Sequence, residues 1–158
     1  MRPPNIKPFA ALALATAIAA LGALPGKADS AGHAVDRGID VYYAVIPAEI
    51  IRGHEKQHPE ATMHGGPPRS KDARHLMVAL FDVATKRRIT DAQVTAKVEE
   101  VGLAGEEKKL EPFSVAGDVT YGNYFSISPN ANYRIQVDVK TLSSEKPAHI
   151  EFSLKEER

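Results

Sequence analysis

Tyr133-Arg134-Ile135-Gln136-Val137-Asp138-Val139-Lys140 alternates apolar and polar residues without a break. A period of two is the mark of a strand with one buried and one wet face. C-terminal to it, a Ser/Lys/Pro turn leads to a second alternation, with Ile150, Phe152 and Leu154 inward and Glu151 and Ser153 outward. N-terminal to it, Pro129-Asn130-Ala131-Asn132 has turn chemistry, and Tyr121, Asn123, Phe125 and Ile127 share a face before that. Leu110–Ala116 is a weaker strand interrupted by Pro112, preceded by a loop over Leu103–Lys109. Val94, Ala96 and Val98 form a half-buried pattern, and Thr85-Lys86-Arg87-Arg88 reads as a charged turn.

From His75 to Val83 both faces are mostly apolar, as in a central strand. Asp40–Ile51 is β-rich but contains Pro47, which donates no ladder hydrogen bond and predicts an edge strand or a bulge. About seven strands result, with turns at sandwich spacing and no long amphipathic helix after residue 28. This pattern predicts an all-β fold, an immunoglobulin-like antiparallel β-sandwich.

The first 28 residues stand apart. Arg2 and Lys7 precede an apolar run from Phe9 to Leu24, and Gly26-Lys27-Ala28 supplies the small residues of a cleavage site. This is the tripartite form of a secretory signal peptide. The domain reading is a signal peptide over 1–28, a flexible lead-in over 29–38 and the sandwich over 39–158. The expected location is the periplasm. After cleavage, 17 bases face 20 acids, and no basic patch marks a nucleic-acid partner. With no cysteine, disulfides and thiolate metal sites are excluded.

Within the sandwich, residues 53–74 form a loop rich in glycine and proline. Gly53 to Met77 holds four of the six histidines and both methionines other than Met1. Imidazole and thioether are the donors that a cysteine-free chain can offer copper or another late first-row metal. The candidate ligands are His54, His58, Met63 and His64 in the loop, His75 and Met77 on the following strand, and Glu49 as an added carboxylate. His75 and Met77 are two apart and project from one strand face about 7 Å apart. The plainer reading keeps the loop as a solvated segment, His75 as a cap at the strand's exposed end and Met77 as core filler. His149 alternates outward. No Gly-x-Ser-x-Gly, His-Glu-x-x-His or phosphate-cradling loop is present, so the expectation is a protein that is not an enzyme.

The order of these motifs resembles the periplasmic ferrous-iron transport protein family, from about Val41 to Val139. Pro47-Ala48-Glu49-Ile50 is similar to that family's proline-then-glutamate strand. His75-Leu76-Met77 stands where the family opens a strand with a ligand histidine and places an acid two residues on. Glu111-Pro112-Phe113 stands for Met-Pro-Met, and Thr120-Tyr121-Gly122 for His-Tyr-Gly. The resemblance implies a copper or iron ion, a homodimer and service to high-affinity iron uptake beside an inner-membrane permease. It also implies that His75 is retained, that Met77 replaces a carboxylate and that two ligands are gone, because Phe113 has no donor and Thr120 is a weak one. The layout is similar as well to the YtkA/FixH-like exported sandwiches associated with oxidase assembly. Two functions follow: a periplasmic protein for uptake, delivery or tolerance of copper or ferrous iron, and a metal-free interaction or assembly factor for a membrane complex.

Overall fold

Eight strands and one short helix make up the fold of this computed structural model, which describes residues 31–52 and 65–156. In chain order they are β1 (Ala31–Asp36), β2 (Ile39–Pro47), α1 (Ala48–Arg52), β3 (Ala73–Asp82), β4 (Gln93–Glu100), β5 (Glu106–Val115), β6 (Asp118–Ser126), β7 (Ala131–Lys140) and β8 (Ala148–Glu156). All pairings are antiparallel, in the order β1-β2-β3-β6-β5-β4-β7-β8.

The sheet folds into two layers at β5. Its first half pairs with β4, ending at Leu110↔Val94, and its second half pairs with β6, beginning at Glu111↔Gly122. Pro112 follows this crossing, where a missing N–H costs no bond to β4. At the opposite seam the His149 amide on β8 donates to Asp36 Oδ2 on β1 at 2.9 Å, so the sandwich nearly closes into a barrel. Between the layers, Val41, Leu76, Val78 and Leu80 meet Val94, Ile135, Val137 and Val139, all at 0% exposure. Tyr43 and Phe152 bridge the layers with ring centroids 4.1 Å apart. The strict alternation of Tyr133–Lys140 thus becomes β7, central in its layer between β4 and β8.

Three local readings are corrected. The strand number is eight rather than about seven, because residues 31–36 of the expected flexible lead-in form β1. Its small residues serve pairing: a Cβ at Gly32 would lie 2.9 Å from the Tyr43 ring, and Ala34 packs on the core. The turn to β2 places both Arg37 (φ 48) and Gly38 (φ 77) at positive φ, the backbone of a two-residue hairpin. Glu106–Lys109, expected in a loop, is the first half of β5. None of these four residues is buried, and burial begins only at Leu110, so no apolar alternation announced them. The run Asp40–Ile51 stays extended only to Pro47. Ala48 and Ile51, three apart on α1, bury one side of the helix against Ala73, Tyr124 and Ile46. Glu49 in its first turn and Arg52 in its last suit the helix dipole, and Arg52 Nη1 donates to the Pro68 carbonyl.

Candidate metal centre

β3 sits between β2 and β6, so its two faces have different fates. Leu76, Val78 and Leu80 point into the core, and His75, Met77, Ala79 and Phe81 point to the outer face. Cross-strand partners share a face, which fixes their neighbours. His75 lies between Ile46 and Tyr124, and Met77 between Ala44 and Gly122. Gly122 is in turn opposite Glu111, and Thr120 opposite Phe113. One row across the outer face therefore reads Met77, Gly122, Glu111. At about 4.8 Å per strand, Met77 and Glu111 are about 10 Å apart at Cα.

His75 fills the space between them. Its ring stacks on Tyr124 at 4.6 Å between centroids and 29° between planes, and meets Phe113 at 5.4 Å and 43°. A Cβ at Gly122 would stand 2.7 Å from His75 Nε2 and 2.9 Å from Phe113 Cε1. Only a glycine gives the imidazole that seat. The Nε2 edge thus lies over the middle of the row, with a thioether strand on one side and a carboxylate strand on the other. This corrects the expectation of a cap at an exposed strand end, since His75 is 0% exposed. Met77 is half-buried rather than core filler.

The next position along β6 is occupied by an arginine. Arg88 Nη2 donates to Thr120 Oγ1 at 2.9 Å, and its Nε to the Val119 carbonyl at 2.7 Å. Phe113 and Thr120 therefore serve an aromatic wall and an arginine anchor, not a donor pair. Glu49 is exposed in the first turn of α1 rather than on a strand. His54, His58, Met63 and His64 lie outside the described residues. His149 is exposed and paired with Asp138, Nδ1 to Oδ1 at 2.6 Å, well away from His75. Among the described residues, no three histidines or carboxylates gather in the manner of a complete metal site. Sequence reasoning missed Glu111 and Gly122 as neighbours of His75. The Gly122–Glu111 register became visible only with β5 paired to β6.

The fold has solved counterparts. FetP from uropathogenic Escherichia coli strain F11 superposes with a TM-score of 0.59 at 14% identity, over 81% of this chain and 94% of that one; a variant of it is copper-bound. Copper-reconstituted P19 from Campylobacter jejuni gives 0.54 at 10% identity, over 79% and 92%. A DUF4426 family protein from Pseudomonas aeruginosa PAO1 gives 0.57 at 17% identity, over 82% and 98%. No protein-family model and no curated protein sequence matches the chain. At such identities the likeness establishes a common fold. Among the described residues no helix is long and apolar enough to cross a membrane.

Proposed function

We propose that this chain is a periplasmic metal-binding protein whose cargo is copper or ferrous iron, held on the outer face at His75, Met77 and Glu111 and completed by the His/Met segment of residues 54–64. The observation that carries the reading is the Gly122 seat, which turns the buried His75 Nε2 toward a row that also bears a thioether and a carboxylate. The donor set fits the cargo: imidazole suits copper and iron, and thioether draws Cu(I). The copper-bound states of FetP and P19, which share the fold, support it. Such a protein serves uptake, delivery or tolerance, after a signal peptide ending at Ala28 has been removed. The aromatic packing of Tyr124 and Phe113 fixes the imidazole plane, and the fixed Arg88 cation keeps a second ion from the Thr120 position.

Titration of the purified protein with Cu(I), Cu(II) and Fe(II) against a competing chelator tests this. His75→Ala should weaken copper binding at least about tenfold, the scale of losing one ligand-ordering group; Met77→Leu should reduce Cu(I) more than Cu(II). Because imidazole must be neutral to ligate, affinity should fall on acidification. Binding no tighter than about 100 μM, or about −5.5 kcal/mol, removes the reading. Full affinity in His75→Ala moves the site onto His54, His58 and His64.

A further inference from the structure

β5 and β6 separate beside the candidate metal centre, and side chains carry their ladder past the point where the strands part. The last regular pair is Glu111↔Gly122. Two residues further along that register Lys109 would face Tyr124, but there β5 has turned to β4, with Lys109↔Thr95. The Ile127 amide donates to the Asp72 carbonyl at 2.8 Å, which makes Asp72 and Ile127 a hydrogen-bonded pair in the register of β3 and β6. Bonded and non-bonded pairs alternate in an antiparallel ladder. His75↔Tyr124 is therefore of the close, non-hydrogen-bonded kind, in which side chains approach most nearly, as these two rings do. The N–H and C=O of Tyr124 accordingly point toward the side that β5 has left.

Two side chains meet those groups. The Asn123 carboxamide stands in the gap: its Oδ1 accepts from the Tyr124 amide at 2.8 Å, and its Nδ2 donates to the Lys109 carbonyl at 2.8 Å. A regular ladder would have joined that amide and that carbonyl directly. With an N–H on one side and a C=O on the other, the carboxamide has one orientation that satisfies both. The Tyr124 carbonyl accepts from Lys108 Nζ at 2.7 Å. That ammonium is itself held, by Glu106 at 2.8 Å and over the Phe125 ring at 5.2 Å from the centroid. In the charged ribbon Glu106–Lys109, Lys108 is the half-buried member and its three companions are exposed.

What this junction holds is Tyr124, the ring on which His75 stacks at 4.6 Å, and the part of β5 that reaches Glu111 two residues on. We infer that Asn123 and Lys108 are positioning residues of the candidate metal centre. The carboxamide splices β5 to β6 so that Glu111 keeps its place opposite Gly122. Together with the Lys108 ammonium it fixes Tyr124, and through Tyr124 the plane of the imidazole. Both act through other residues and lie outside the donor row. The inference rests on His75 as a ligand of the ion, as proposed above. Apolar side chains at these two positions would take from the Tyr124 amide, the Tyr124 carbonyl and the Lys109 carbonyl the partners they have here, and the strand ends would shift to find others.

Three variants of the full chain test it. Asn123→Asp keeps the acceptor for Tyr124 and removes the donor to Lys109. Lys108→Met keeps the apolar stem over Phe125 and removes the cation, whereas Lys108→Arg keeps a cationic donor. In the metal-free protein, side-chain NMR should show the His75 ring signals displaced in Asn123→Asp and in Lys108→Met, because the ring currents of Tyr124 and Phe113 depend on how the rings stack. The His149 signals, at the opposite seam, should stay in place. Lys108→Arg should return the His75 signals toward wild type. Copper affinity should fall about tenfold in the first two variants, the scale for a group that orients a ligand, and recover in the third. His75 signals unmoved in both variants overturn the inference, as does full copper affinity with the signals displaced. So does a displacement of His149 as large as that of His75, which is general loosening. Should one variant fail to fold, the other decides. Wild-type protein that binds no copper removes the metal reading alone, and the NMR comparison still decides whether Asn123 and Lys108 set the imidazole.

Discussion

Gly122 decides the shape of the candidate metal centre at the scale of single residues. Its missing side chain is the room in which the buried His75 Nε2 edge rests, and that room has no slack, with 2.7 and 2.9 Å to the imidazole and to Phe113. Gly122→Ala should therefore cost about 1–3 kcal/mol as an overpacked site. It should also lower copper affinity, because the ring must leave its stack on Tyr124 or tilt. A denaturant melt together with a copper titration checks both; an unchanged melt and unchanged affinity would mean the imidazole has another seat. His75 and Met77 were legible in the sequence as a two-residue spacing on one strand. Gly122 was not, because nothing in Tyr121-Gly122-Asn123-Tyr124 says which histidine passes over it.

At the scale of elements, the turn between β3 and β4 is closed by the Asp82 carboxylate, which accepts from the Thr85 amide and hydroxyl at 2.7 and 2.8 Å. The Asp82 carboxyl is held below its ordinary pKa, first by the hydrogen bond from the Thr85 amide and then by that from the Thr85 hydroxyl. A carboxyl depressed in the folded state stabilises at pH values above its unfolded pKa of about 3.9, and that contribution is lost as pH falls through the folded value. Below about pH 4 the turn should loosen. In acid titrations of stability, Asp82→Ala should lose part of the wild-type slope in that window and little above it beyond a constant offset. Identical slopes in the two proteins would show that Thr85 does not depend on the carboxylate. The charged turn was read from Thr85-Lys86-Arg87-Arg88 alone. That Arg88 would leave the turn for Thr120 and Val119, 32 and 31 residues away, could not be.

For the whole molecule, two layers share one core and are joined through β5, so they should unfold together. Ile135 is 0% exposed in the middle of β7, and Ile135→Ala should cost about 2–5 kcal/mol in a single transition seen equally by far-UV circular dichroism and tyrosine fluorescence. Two separated transitions would show that the layers β1-β2-β3-β6 and β4-β7-β8 fold as independent units.

Alternation was enough to specify the class of fold and its best strands, because burying one face of a pleated strand imposes a period of two on the residues themselves. β3, β4, β6, β7 and β8 were all legible on that ground. Where burial does not write itself into the residue types, the sequence was silent: β1 is small residues fitted around Tyr43, and the first half of β5 is a charged ribbon whose pairing with β4 comes from the backbone. The candidate site divides in the same way. Donor chemistry belongs to side chains, so His75 and Met77 could be named from the sequence. Adjacency across strands belongs to register, and only the pairing of β3 with β6 and of β6 with β5 set Met77, Gly122 and Glu111 in one row beneath the imidazole.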